Sequence, residues 1–285
     1  MKAPRVAVIG AGTMGHGIAY IAALAGCKVR LTDAQPEALA LAMSNIESLL
    51  EGGVKRGKIT EQERDQVHER VRAEPLLSAA VATADIVIEA IVEDLTIKQR
   101  LFVDVERAAL PEALLATNTS SLSIGQIAAT MTHPARLVGM HFFNPVYIMK
   151  LVEVVTHRRD SRPAAERAVE FARQLGKEPI VVRDSPGFAS SRLGVVLGLE
   201  AMRMVEQDVA SVEDIDKAME LGYNHPMGPL KLTDLVGLDV RLAIAEYLHA
   251  TLGKPQYAPP KILKEKVKKG ELGKKTGKGF YTWSD

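Results

Sequence analysis

Residues 5–25 read RVAVIGAGTMGHGIAYIAALA: a short apolar run, a glycine turn and an alanine-rich helical pattern. No other stretch restricts the fold as much. Gly10-Ala11-Gly12-Thr13-Met14-Gly15 is G-x-G-x-x-G set between a strand and a helix, the context in which that spacing carries meaning. Gly10 permits the tight turn, Gly12 lets the backbone approach a pyrophosphate, and Gly15 lets the helix pack close to the strand. The helix start at Thr13 and Met14 then offers N–H groups and a positive dipole end to phosphates. A second strand, Lys28–Thr32, ends at Asp33. There a carboxylate can accept from both ribose hydroxyls of an adenosine, and it would repel a 2′-phosphate. Ala34 and Gln35 bring no arginine to offset that repulsion, so the expected cofactor is NAD and not NADP.

The alternation continues. Helical patterns run from Pro36 to Gly52, over Thr60–Val71 and over Leu95–Ala109. Strand patterns fall at Asp85–Ala90, Leu114–Thr117, Leu137–Phe143 and Leu151–Thr156. Short β-runs between helices predict a mostly parallel sheet covered on both faces. The texture changes at RDSPGF (Arg183–Phe188), a Pro-Gly breaker. Beyond it the patterns are helical: Phe188–Gln207, Ser211–Leu221, Leu230–Leu235, Asp239–Leu252 and Pro260–Lys269. Ser211 with Asp214 resembles a capping box for the second of these. The predicted organisation is an α/β domain over residues 1–184 and an all-α domain over residues 185–285.

The rest of the sequence mainly excludes. A net charge of +1 gives no global field for nucleic acid or a membrane surface. No apolar run approaches the ~20 residues of a membrane span, and the N-terminal stretch lacks a signal-peptide layout. A single cysteine, Cys27, rules out an internal disulfide and fits a reducing cytoplasm. In its alanine-rich helical setting Cys27 reads as a packing residue. The histidines lack ligand spacing, so no metal is expected. GKKTGKG (Gly273–Gly279) fails as a phosphate loop, because its spacing is short, no Ser or Thr follows Lys278 and no strand precedes it.

GMHFFNPVYIMKLVEVVTH (Gly139–His157) poses a chemical question. Glu153 sits among Leu151, Val152, Val154 and Val155, where an ionised carboxylate is costly without a partner. His141 ends the preceding strand. Nicotinamide chemistry on an alcohol needs a base for the hydroxyl proton, and imidazole titrates near neutrality. Neighbouring strands can bring the two together as one catalytic pair. The alternative is a core histidine and a glutamate on a solvated strand face.

At this point the chain resembles the 3-hydroxyacyl-CoA dehydrogenase family in its short bacterial 3-hydroxybutyryl-CoA form. The matching stretches are VAVIGAGTMGHGIA, IVIEAIVED, ATNTSSLSI, HFFNPV, KLVEVV, DSPGF, HPMGPLKLTDLVGLD and KTGKGFY, spread over the whole length. The resemblance implies a Rossmann-like NAD-binding domain followed by a helical domain that supplies a homodimer interface and closes the substrate cleft. It implies His141 as base and Glu153 as its orienting carboxylate, with Ser120 near the substrate hydroxyl and the nicotinamide. Asn144 would contact the nicotinamide end. Glu93, Lys98 and, from the C-terminal tail, Lys275 would line the cofactor site. Lys55, Arg56 and Lys58 fall where the family contacts CoA. One position departs: the family pattern PGF-x-x-N-R is here PGFASSR, so Ser191 stands where an asparagine would meet the thioester carbonyl. A related dehydrogenase of a non-CoA hydroxy acid, and a non-catalytic crystallin-like protein, are the competing readings.

Overall fold

A computed structural model describes residues 3–283. The chain forms two compact units that divide between Ser185 and Pro186. In the first, eight strands make one sheet: β1 (Arg5–Ile9), β2 (Lys28–Thr32), β3 (Val71–Ala73), β4 (Ile86–Glu89), β5 (Leu114–Thr117), β6 (Leu137–Phe142), β7 (Leu151–Thr156) and β8 (Glu178–Arg183). Their order is β3-β2-β1-β4-β5-β6-β7-β8. The helices are α1 (Thr13–Leu24), α2 (Pro36–Lys55), α3 (Glu61–Arg70), α4 (Leu77–Val81), α5 (Leu95–Ala108), α6 (Ile124–Ala128) and α7 (Arg162–Gln174). Strands β4, β5 and β6 are buried at every residue, as a sheet covered on both faces requires.

Neighbours from β3 through β6 pair in parallel, whereas β6 and β7 pair antiparallel. The reason is local. A parallel return needs a crossover of a dozen or more residues, and residues 143–150 form only a loop. After β7 the chain has that crossover in α7, and β8 lies parallel to β7. Neither α7 nor β8 was anticipated from the sequence, nor were β3, α4 and α6. The helix expected over Thr60–Val71 is shorter at both ends. Thr60 and Glu63 form a reciprocal capping box, and Val71 already belongs to β3. At the sheet edge Glu178 N–H donates to Lys150 O and Asp184 N–H to Thr156 O. With a period of two, Pro179 falls on the free edge, where its missing N–H discourages a further strand.

The second unit is helical: α8 (Ser190–Glu206), α9 (Val212–Tyr223), α10 (Pro229–Val236), α11 (Leu238–Leu252) and α12 (Lys261–Lys268). Its apolar core includes Val195, Leu199, Met202, Leu230, Leu238, Leu248 and Leu263. Helix α8 starts two residues later than the pattern suggested, since Gly187 and Phe188 take left-handed φ values of 74° and 47°. Two buried carboxylates staple this unit. Asp234 accepts from Phe280 N–H, Tyr281 N–H and the Trp283 indole N–H. Asp216 accepts from Leu230 N–H, Lys231 N–H and the Tyr281 hydroxyl, which pushes that phenol's pKa up after burial has already done so. A Cβ at Gly228 would lie 2.2 Å from Asp216, and one at Gly279 would lie 2.2 Å from Asp234. The HPMGPLKLTDLVGLD and KTGKGFY stretches therefore carry much of this unit's packing.

Candidate active site

The glycine loop behaves as its residue types demand. Gly10 has φ 101°, and a Cβ there would meet Ala90 O at 2.5 Å. A Cβ on Gly15 would sit 1.7 Å from Gly10 O. Around Gly12, by contrast, nothing lies within 4 Å of that position, so the space beside it is open. No side chain caps α1, which leaves its first N–H groups to an incoming acceptor. Asp33 is fixed at the rim: Oδ2 accepts from Ala11 N–H at 2.6 Å and Oδ1 from Gln35 N–H at 2.9 Å. Gly10, Gly12, Asp33, Ala90 and Ile97 line a cleft of about 460 Å³. An open glycine face, an uncapped helix start and a fixed acceptor beside an apolar cleft fit a dinucleotide.

His141 and Glu153 are direct register partners across β6 and β7. His141 Nδ1 lies 2.8 Å from Glu153 Oε2, and the side chains are 8% and 0% exposed. A carboxylate can only accept, so Nδ1–H donates to it, and a neutral imidazole then carries its lone pair on Nε2. The solvated-face alternative for Glu153 is thereby removed. At the end of β5, Asn118 Oδ1 accepts from Phe142 N–H at 2.8 Å and ties the ATNTSSLSI segment to the histidine strand.

That segment is gathered on Glu93. Its Oε1 accepts from Thr119 Oγ1 at 2.5 Å, Ser120 N–H at 3.0 Å and Ser121 N–H at 3.2 Å. Burial opposes ionisation of Glu93, but the Thr119 hydroxyl, the Lys98 ammonium and the Ser120 N–H outweigh it and hold the carboxyl below its ordinary range. Lys98 is only 1% exposed. Its ammonium pairs with Glu89 and lies 3.4 Å from Glu93, so it bears on the site through Glu93 and not by its own surface. Glu89, fully buried, also accepts from Thr117 Oγ1 at 2.5 Å and Ile91 N–H at 2.7 Å. Burial raises its pKa despite these partners.

Asn144, joined to Pro145 by a cis peptide, lines a second cleft of about 460 Å³ with Thr13, His16, Ser48 and Arg56. Lys55 and Lys58 are exposed and outside that lining. Cys27 is buried and its thiol is pushed up to about 11, which suits packing and not nucleophilic chemistry. A larger cavity of about 890 Å³ is a surface groove between α7 and β8, and none of the site residues expected from the sequence line it. Ser191 stands in the first turn of α8, in the second unit. Lys275, in the same unit, places its ammonium 2.6 Å from both oxygens of Asp239. Among the described residues no cluster of His, Cys, Asp and Glu could hold a metal ion, and no helix is long and apolar enough to cross a membrane.

Comparison with known proteins agrees with this geometry. Residues 5–185 match the model of the 3-hydroxyacyl-CoA dehydrogenase NAD-binding domain, and residues 187–283 match that of the 3-hydroxyacyl-CoA dehydrogenase C-terminal domain. The chain belongs to the 3-hydroxyacyl-CoA dehydrogenase family. It is 44% identical to a probable 3-hydroxybutyryl-CoA dehydrogenase of Bacillus subtilis, over 100% of this chain and 99% of that protein. The crystal structure of Mycobacterium tuberculosis FadB2 superposes with a TM-score of 0.94 at 42% identity, covering 100% of both chains. The (S)-3-hydroxybutyryl-CoA dehydrogenase PaaH1 of Ralstonia eutropha gives 0.94 at 37% identity, covering 99% of each.

Within this 3-hydroxyacyl-CoA dehydrogenase fold, sequence reading missed Glu89, Thr117 and Asn118. For Glu89 the signal was present in DIVIEA: a carboxylate inside an apolar run, the same cue that singled out Glu153. Asn118 and Thr117 gave no such cue, because short polar residues at strand ends are common.

Proposed function

We propose that this chain catalyses the reversible, NAD-dependent oxidation of an (S)-3-hydroxyacyl-CoA, with 3-hydroxybutyryl-CoA as the substrate, to the 3-ketoacyl-CoA. The buried His141–Glu153 hydrogen bond carries this reading. NAD supplies the hydride acceptor. His141 takes the substrate hydroxyl proton at Nε2 as the C3–H bond breaks, and in reduction it returns that proton to the forming alkoxide. Glu153 holds the tautomer and stabilises the imidazolium. Ser120, positioned by Glu93, hydrogen-bonds the substrate oxygen. Ser191 holds the thioester carbonyl. Gly10, Gly12, Thr13, Met14, Gly15 and Asp33 bind the ADP half of the cofactor, and Asn144 contacts its nicotinamide end. Glu93 lines the cofactor site, Lys98 acts on it through Glu93, and Lys275 reaches it from the C-terminal tail. The cleft beside Arg56 takes the CoA arm, and Lys55 and Lys58 bind the CoA phosphates.

Residues 1–184 act as the NAD-binding domain, and residues 185–285 close the cleft and form a homodimer interface. Exposed Leu193, Leu221 and Tyr223 in the helical unit support the latter. The expected setting is the cytoplasm. Nicotinamide absorbance with NADH and acetoacetyl-CoA, beside free acetoacetate, tests the reading. Turnover of the thioester alone supports it, and turnover of the free acid alone would favour a non-CoA substrate. Asp33 at the ribose end predicts a higher kcat/KM with NADH than with NADPH, and equal values would show that the carboxylate does not face the 2′ position.

A further inference from the structure

Helix α7 ends in a Schellman turn. Gly176 takes φ 71°, its N–H donates to Arg173 O at 2.9 Å, and Lys177 N–H donates to Ala172 O at 3.0 Å. This turn fixes the backbone of Lys177 and sends its side chain inward. Lys177 is 8% exposed, and no carboxylate among the described residues lies within 4 Å of its ammonium. Burying a lone ammonium is costly, and burial accordingly depresses the Lys177 pKa. What the charge gains in return is two main-chain acceptors: Val146 O at 2.5 Å and Met149 O at 2.9 Å. Both belong to the loop between β6 and β7.

The same loop carries Asn144 and also packs on α1. A Cβ on Gly17 would lie 3.0 Å from Val146, and the Tyr147 ring meets Tyr20 edge-on at 6.2 Å. Within the loop, Ile148 N–H and Met149 N–H both donate to Pro145 O at 3.0 Å. The loop thus touches both the helix that follows the glycine turn and the ammonium presented by the turn after α7. Without Lys177, two carbonyls near the Asn144–Pro145 turn lose their donor.

We infer that Lys177 is a positioning residue, whose ammonium holds the Asn144–Met149 loop against α1 so that Asn144 meets the cofactor. The role of Asn144 rests on the functional reading above. The ion does no proton transfer and touches no substrate.

Lys177→Met and Lys177→Arg in the full-length protein test this. Methionine keeps the length of the side chain and removes every donor. Arginine keeps the charge and the donors. The readouts are KM for NADH, kcat with acetoacetyl-CoA, NADH affinity by fluorescence, and hydrogen exchange of the Ile148 and Met149 amides. Lys177→Met is expected to lower kcat/KM for NADH by about 10–100-fold, the scale of a lost charged hydrogen bond and a displaced cofactor contact. Exchange at Ile148 and Met149 should accelerate while exchange in β1 does not change. Lys177→Arg should lie closer to wild type in all four. A methionine variant with a lowered thermal midpoint but unchanged NADH affinity and loop exchange would overturn the assignment and leave Lys177 a packing residue. Should the methionine variant not fold, an arginine variant that loses NADH affinity without loosening the loop would overturn it equally. A wild-type protein inactive on acetoacetyl-CoA would sink the functional reading, and NADH binding and loop exchange would still decide the role of Lys177.

Discussion

Glu153 and Glu89 are both fully buried carboxylates in apolar strands of one sheet, yet they face different partners. Glu153 on β7 meets an imidazole, and Glu89 on β4 meets an ammonium and a threonine hydroxyl. Each pair carries a large desolvation cost that only close, well-aligned partners offset. The difference lies in what the partner can do. A neutral imidazole donates from one ring nitrogen and accepts at the other, so the His141–Glu153 pair includes a group suited to acid–base chemistry. An ammonium offers donors and no lone pair, so the Lys98–Glu89 pair serves to hold. It holds Lys98, which helps to keep Glu93 ionised, and Glu93 gathers Thr119, Ser120 and Ser121. One buried pair suits acid–base chemistry and the other supports the loop beside it.

Substitutions can break this contrast, and the largest effect is expected at the imidazole. His141→Gln should lower kcat by about 10²–10⁴-fold with NADH affinity near wild type, measured by stopped-flow absorbance and fluorescence titration. Near-full activity in a folded sample would make His141 a core residue. Next in size is Lys98→Met, which strands a buried carboxylate. It should destabilise the protein by about 3–5 kcal/mol in denaturant unfolding. The pH dependence has a definite sign. Burial already raises the Glu89 pKa above its unfolded value, and removing Lys98 raises it further. The protonated form therefore stabilises the fold at low pH, and that stability is lost as pH rises through the folded pKa. The gap between variant and wild type should narrow on acidification from neutrality. A constant gap would show that Glu89 is not the group left uncompensated. The smallest effect sets the scale of a neutral hydrogen bond: Ser191→Ala should cost about 1–2 kcal/mol in kcat/KM for acetoacetyl-CoA. Ser191→Asn should be tolerated. An alanine variant equal to wild type would leave Ser191 a helix-start residue.

Much of the nucleotide-binding half was legible because its signals are local. A glycine pattern between a strand and a helix fixes the turn, and β4, β5 and β6 are apolar enough to read as fully covered. The His141–Glu153 pair was legible for a related reason, since a carboxylate among valines needs a partner and the adjoining strand offered one. What escaped depends on distant parts of the chain. Strand β8 is partly exposed and finds its place only by pairing with β7 after the α7 crossover. The α7 pattern was there to read in RPAAERAVEFARQLGK, with Ala165, Ala168, Phe171 and Ala172 on the buried side and Gly176 as its stop. The burial of Lys98 and Lys177 was not, because a lysine's spacing on a helix or after one does not reveal a carboxylate or carbonyl waiting in another element. Phe188 read as helix, but its left-handed φ moves the start of α8 to Ser190.

Two similar buried carboxylates do different work in this sheet, and matched isosteric changes separate them. Glu153→Gln and Glu89→Gln would each be assayed for kcat on acetoacetyl-CoA and for thermal midpoint. Glutamine at 153 still accepts from Nδ1–H but no longer stabilises an imidazolium. Its kcat should fall by more than about tenfold, with the midpoint little changed. Glutamine at 89 leaves a buried ammonium without its counter-charge, so the midpoint should fall clearly more than at 153. A Glu153→Gln protein that kept its kcat and lost as much thermal stability as Glu89→Gln would make both pairs structural.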